Sequence, residues 1–378
     1  MTLNAYRANG WLAGLLVLIV AMVPTLGGCA TNAELDRKER GYDIFAKTDM
    51  APGNITVTRK GRVIVSLHQF FEPTWRVAEV DPETGVLRPF PNPEWAEELG
   101  PNGIGMDSVL GIMSDDEDRV WMLDNGLRGG SSPRLIVWNT KKNELDRVIT
   151  IFFPGIDESF LNDFVLDPKT EHVYIANTAL EGTPSLVVLD LRTGLARPVL
   201  LGDSVVSGER GANLVIEGET LNANGQPRVV AINPITIDKD GRWVYFGAMT
   251  GRSLYRIRTA DLRNADLSDS ALAQRVERYS AKPVSDGITI DEQNNIYVTD
   301  LENSGIGVIG RNRAYKPIFS DSVLVNWPDG LSGGPDGLIY ATVNQLHRSP
   351  GLNDGRDASV PPYLIIRVDA RGKPIAGR

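Results

Sequence analysis

Apolar residues run along most of this chain as pairs of short blocks, not at helical spacing. One pair reads NDFVLDPKTEHVYIANT, from Asn162 to Thr178. An Asn-Asp pair leads into an apolar run, a polar turn, and a second apolar run with a tyrosine in it. The phrase recurs. Its copies are PGNITVTRKGRVIVSL from Pro52, VLGIMSDDEDRVWMLD from Val109, NDFVLDPKTEHVYIAN from Asn162, NPITIDKDGRWVYFGA from Asn233, SDGITIDEQNNIYVTD from Ser285 and PDGLSGGPDGLIYATV from Pro328. In each, eleven positions separate the first residue from the Val or Ile of the second run. Two runs of β-branched and aromatic residues around a turn of Asp, Gly, Lys and Asn predict a hairpin. Further strands are expected at RLIVWNT, SLVVLDL, SLYRIRT and YLIIRVD, so one repeat is a sheet of three or four strands.

The copies lie 43 to 71 residues apart, the spacing of propeller blades. A lone blade cannot bury both faces, whereas radial stacking lets each cover its neighbours. The pattern therefore predicts an all-β, six-bladed β-propeller over residues 46–378. A two-sheet sandwich is the alternative, and sixfold phrasing argues against it. The one helix-like segment, NADLSDSALAQRVERYS, reads as an insertion after the fourth copy.

Ahead of the repeats the pattern changes. Arg7 precedes the apolar run WLAGLLVLIVAMV, and PTLGGC follows it. A basic start, a short apolar core and small residues at its end form a secretory signal. The run falls short of the roughly 20 residues that a membrane span needs. Leu26-Gly27-Gly28-Cys29 resembles the bacterial lipobox, in which the cysteine is lipidated. The expectation is a signal peptide at 1–28 and an acylated Cys29 with a charged tether at 29–45. The body would lie in the cell envelope, held to the membrane by the lipid alone.

Composition narrows the chemistry. A net charge of −9, with no basic run, does not suit nucleic acid. Cys29 is the only cysteine, which excludes an internal disulfide and any CxxC site. The histidines are His68, His172 and His347. His172 falls in a hairpin turn and His347 near the expected channel mouth. GIGVIG, Gly305 to Gly310, matches GxGxxG but lacks a following helix to meet a pyrophosphate. It reads as a glycine-rich blade turn.

The polar residues that open each phrase carry the functional expectation. The first strand of each propeller blade lines the axis, so these openings converge on one end of the channel. They are Asn162-Asp163, Asn233, Asp286 and Asp329, with Asn54 one place later in the first copy and Asp107 two places earlier in the second. Ends of the second strands add Asp124, Asn177, Asp300 and Asn344, with His68 nearby. Asn and Asp also form turns and cap strand starts, and each residue alone admits that role. Gathered together, the oxygens suit either a hard divalent ion such as Ca²⁺ or a cationic or polyhydroxylated organic ligand.

Five segments in order resemble the major royal jelly protein/yellow family from about Gly53 onward. They are PFPNPEW, VWMLDNG with PRLIVWNTKKNELDRVI, LNDFVLDP, LYRIRTADLRN and KPVSDGITID. The resemblance implies a secreted six-bladed propeller that binds small molecules at the channel mouth. Some members are linked to dopachrome tautomerisation and some bind amines or sterols. A more distant likeness is to the gluconolactonase/senescence-marker family. It implies a divalent metal on Asn162, Asn233 and Asp286, with Asp163 or Asp286 moving the proton in lactone hydrolysis. Pro234 stands where that family has glycine, and its first-blade glutamate, another metal ligand, has no match in APGNITVT, where Asn54 is a poor substitute. Three readings follow: a binding propeller using Asn162, Asp107, Asp300, Asp329, Asn344 and His68, a metal-dependent lactonase, and a protein-interaction scaffold.

Overall fold

The computed structural model describes residues 31–378 apart from 130, 180, 181 and 224. The expected signal peptide and Cys29 lie outside these residues. Each of the six phrases forms the inner hairpin of a four-stranded antiparallel sheet. The inner strands are Pro52–Val57, Val109–Ser114, Leu161–Leu166, Ile232–Ile237, Ile288–Ile290 and Pro328–Gly333, in blades 1 to 6. They touch one another in a closed cycle, blade 6 returning to blade 1.

The core is a ring of blade-to-blade seams. Ile64, Met106, Val109 and Met122 join blades 1 and 2, while Tyr245, Leu254, Ile290 and Ile296 join blades 4 and 5. Val120, Val173 and Val244, the residues that fix the spacing of the phrase, are fully buried. Each such aliphatic side chain contributes roughly 1.5–3 kcal/mol by leaving water. The aromatic of the second run has a further role. Trp121, Tyr174, Tyr297 and Tyr340 donate back to the turn carboxylates Asp115, Asp167, Asp291 and Asp336, at 2.8, 3.3, 3.0 and 2.8 Å. The turn and its second strand are thereby locked as one unit.

Closure extends the propeller beyond the expected boundary at residue 46. Strand Asp43–Thr48 is the outermost strand of blade 6, pairing with Tyr363–Asp369. The segment expected as a tether includes a helix, Asn32–Arg40, with Thr31 and Glu34 in a reciprocal cap. Arg37 of that helix reaches Asp43 at 2.6 Å and Asp369 at 2.8 Å, and Arg367 reaches Asp43 at 2.7 Å. These contacts hold the joint between the first and last strands.

Other expectations need correction. GIGVIG is not a turn: Gly305–Ile309 is the third strand of blade 5. Any side chain at Gly307 would strike the Tyr315 ring, so glycine admits the aromatic across the strand. His172 starts the second strand of blade 3, half-buried, instead of lying in the turn. The expected helical insertion is met in part: Asp269–Ala273 is a short helix inside NADLSDSALAQRVERYS, a second helix, Thr259–Arg263, precedes that segment, and the segment's end enters the strand Glu277–Ala281. At the far end of the channel, residues 373–378 cross the blades. Gly377 O accepts from Ser114 N and Thr56 Oγ1, and the Arg378 guanidinium donates to Ile237 O and Asp238 O. This tail narrows the channel from below.

Candidate ligand cavity at the channel mouth

A β-bulge recurs at the start of the inner strand in five blades. It falls between Pro52 and Ile55, Val109 and Ile112, Leu161 and Phe164, Ile232 and Ile235, and Pro328 and Leu331. A bulge sets two residues against one and re-aims their side chains. Here it turns Asn54, Leu110, Asn162, Asp163, Asn233 and Asp329 into the cavity, where Asp286 of blade 5 joins them. Glycine lets the inner strands close up at this level. A side chain at Gly287 would meet Asp329 O at 2.2 Å, and one at Gly330 would meet Asn54 Cα at 2.6 Å.

The floor is hydrogen-bonded around the axis. Asn162 Nδ2 donates to Asn233 Oδ1 and Asn233 Nδ2 to Asp286 Oδ1, both at 2.6 Å. Trp327 Nε1 donates to Asp286 Oδ2 at 2.7 Å. Asn54 Nδ2 donates to Asp163 Oδ1, and Asn344 Nδ2 to Asp329 Oδ2, again at 2.6 Å. Each of the three carboxyl groups therefore has an uncharged donor.

Their charge is poorly compensated. Burial, and then repulsion from Asp286, push Asp163 up to about 7. Burial pushes Asp286 up to about 6, opposed by the Trp327 and Asn233 hydrogen bonds and by Lys282. Asp329 is raised well above the ordinary range by burial and by both other acids. Lys282 stands behind the floor, its Nζ donating to the carbonyls of Gly251 at 2.9 Å and Pro283 at 3.1 Å. Burial lowers it to about 7. The pit thus holds protons at neutral pH, a state that an incoming cation would reverse.

Above the floor the walls are apolar. Phe70, Phe160, Leu214, Met249, Trp327 and Leu346 are the main contributors. Leu214 belongs to an insertion at 201–231, which carries the paired strands Val215–Ile216 and Glu219–Thr220. Glu217 fastens this insertion to the loop after blade 6's second strand, meeting His347 Nε2 at 3.2 Å and Arg348 at 2.5 Å. His347 in turn stacks on Trp327, with ring centroids 6.0 Å apart.

The structure sorts the expected residues. Asn162, Asp163, Asn233, Asp286, Asp329 and His68 meet in the cavity, and Asn344 supports Asp329 from behind. Burial holds His68 neutral, down to about 3, and its Nδ1 accepts from Phe70 N. Asp107 and Asp300 are not part of the wall. Asp107 accepts from Arg128 N at 2.9 Å, and Asp300 from Tyr315 OH at 2.7 Å. Both are buried and consumed within their own blades. Asp124 and Asn177 likewise fasten strand starts, accepting from Ser108 N and Phe160 N. The second-strand ends are therefore caps, and the bulge residues face the ligand space.

The set expected to hold a divalent ion does not fit one as arranged. Both oxygens of Asp286 and the carbonyl oxygen of Asn233 already accept from protein donors. Asn54, in place of the first-blade glutamate, turns its amide to Asp163 and its oxygen to Ile55 N. Among the described residues, no group of three or more His, Cys, Asp or Glu is arranged for a metal. Trp327, Lys282, Arg228 and Phe70 were not anticipated. Trp327 stands one place and Lys282 three places before the opening residue of a phrase, so a wider column would have included them. Arg228 and Phe70 lie in loops with no counterpart in the repeat.

Comparison with known proteins agrees with the six-bladed fold. A family model described as Major royal jelly protein matches residues 107–339. Major royal jelly protein 3 of Apis mellifera is 21% identical over 253 residues, 64% of this chain and 44% of the relative. Major royal jelly protein 9 of the same organism is 36% identical over 69 residues, 18% of this chain and 16% of the relative. The chain thus spans less than half the length of these relatives. Among solved structures, a calcium-binding regucalcin from Agrobacterium tumefaciens superposes with a TM-score of 0.54 at 13% identity, over 89% of this chain and 95% of its own. A putative gluconolactonase gives 0.54 at 13% identity, over 89% and 94%. At such identity the likeness is one of fold.

Proposed function

The chain belongs to the major royal jelly protein family, and from that premise we propose that it binds a small organic molecule, an apolar body carrying an ammonium group, at the mouth of its central channel. One observation carries the reading: Asp286 lies buried, with Asp163 and Asp329 half-buried beside it, beneath an apolar cup and without enough positive charge to ionise all three. An ammonium group supplies that charge and three hydrogen-bond donors at once. The ring or chain behind it replaces water against Phe70, Phe160 and Met249.

The test is calorimetric titration with three indoles that differ only in their terminal group. Tryptamine, an amine, is expected to bind most tightly, ahead of the alcohol tryptophol. Indole-3-acetate, a carboxylate, is expected not to bind. Equal affinity for all three would remove the acids from the recognition.

A second reading, lactone hydrolysis, is favoured by Asp163 and Asp286 sitting at about 7 and about 6, a useful range for general acid–base work. In this reading the two carboxyl groups act by themselves, since the floor oxygens as bonded do not fit a metal. Turnover of δ-gluconolactone, lost in Asp286→Asn, would support this reading over binding alone.

The lipobox-like Leu26–Cys29 and the apolar run before it support an exported, acyl-anchored protein working in the cell envelope. Incorporation of labelled fatty acid, abolished in Cys29→Ser, is the corresponding measurement.

A further inference from the structure

Arg228 lines the same cavity on the side of the 201–231 insertion. Its Nε is shielded from water and has no hydrogen-bond partner. Its backbone N is tied to Leu221 O at 2.9 Å, which fixes where the side chain starts. Among the described residues no carboxylate pairs with it. Glu217 meets His347 and Arg348, Asp286 accepts from Trp327 and Asn233, and Asp163 and Asp329 accept from Asn54 and Asn344 through one oxygen each, keeping the other for a ligand. Leaving a buried guanidinium donor unmade is costly, and the planar fork of arginine matches a carboxylate in two parallel hydrogen bonds.

Resting on the ammonium reading above, we infer that the ligand is amphoteric, an aromatic amino-acid-like molecule whose carboxylate is received by Arg228 while its ammonium group faces the acidic floor. A plain amine satisfies the floor and leaves the Arg228 donor orphaned. A plain acid pairs with Arg228 and sets its remaining apolar end over unneutralised carboxyl groups. An amphoteric molecule answers both, and the apolar walls between the two ends take its ring.

Titration of the purified protein with matched pairs, tryptophan against tryptamine and tyrosine against tyramine, tests this. At least one amino acid is expected to bind about tenfold or more tighter than its amine. In Arg228→Met that preference should invert, because the amine loses a repelling charge and the amino acid loses its partner. Arg228→Lys, which keeps the charge without the fork, should recover part of the preference. Amines that bind as tightly as the amino acids, with a ratio unmoved by Arg228→Met, would overturn the inference and leave the cavity reading standing. Binding of none of the four overturns both.

Discussion

Trp327 Nε1 donates to Asp286 Oδ2 at 2.7 Å, joining the wall of the cavity to its floor. Trp327 is 1% exposed and packs on His347, which Glu217 ties to the insertion over the mouth. The acid of blade 5 is therefore coupled to the loops that frame the opening. Trp327→Phe keeps most of the ring and deletes the donor. It should weaken tryptamine binding near pH 6.5, because Asp286 then holds its proton more tightly and gives less counter-charge to the ammonium group. Because this bond opposes the rise of Asp286, the pH midpoint of binding should also move upward. Titration across pH reads both effects, and an unmoved midpoint would detach Trp327 from Asp286.

Amine binding should strengthen as pH rises through about 6 to about 7, where Asp286 and Asp163 lose their protons. Below that window the floor is neutral and the ammonium has no counter-charge. Binding inside it should release protons, so the apparent enthalpy should depend on the ionisation enthalpy of the buffer. Identical enthalpies in phosphate and Tris near pH 6.5 would contradict the electrostatics described.

The same acids carry a stability penalty. Asp163 is raised in the folded protein, so the fold holds its proton more tightly than the unfolded chain does. Its contribution is fully present below the ordinary carboxylate range and is lost as pH rises through about 7. Asp163→Asn keeps an oxygen for Asn54 and removes the charge. It should raise the melting temperature at pH 8 and have little effect near pH 3.5. A loss of stability at pH 8 would mean that the charged form is favoured after all.

Asp43 offers a contrast, since it is buried with two arginines in attendance. Asp43→Ala leaves Arg37 with Asp369 alone and takes from Arg367 its close partner, at the joint between the first and last strands. The expected cost is roughly 3 kcal/mol, the lower end for breaking a buried pair. Denaturant unfolding measures it, and a change under about 0.5 kcal/mol, typical of surface substitutions, would show that the joint does not depend on this pair.

Much of this was readable in the sequence, for a definite reason. The spacing from Pro52 to Val63 recurs from Asn162 to Val173 because each pair spans the same hairpin, so the fold repeats in the letters. The floor residues were legible because the bulge recurs with them. Asp107 and Asp300 misled because a strand-end carboxylate that caps its own blade reads the same as one that faces the channel. Only register and bulge distinguish the two. Arg228 and Phe70 belong to loops that interrupt the repeat, so periodicity gave no signal there.

The most direct measurement is a crystal structure of the protein with tryptamine bound. The account predicts the ammonium nitrogen within about 3 Å of carboxyl oxygens of Asp163, Asp286 or Asp329, with the indole among Phe70, Phe160 and Met249. Tryptamine on an outer face of the blades, or seated with its nitrogen turned away from the three acids into solvent, would contradict it.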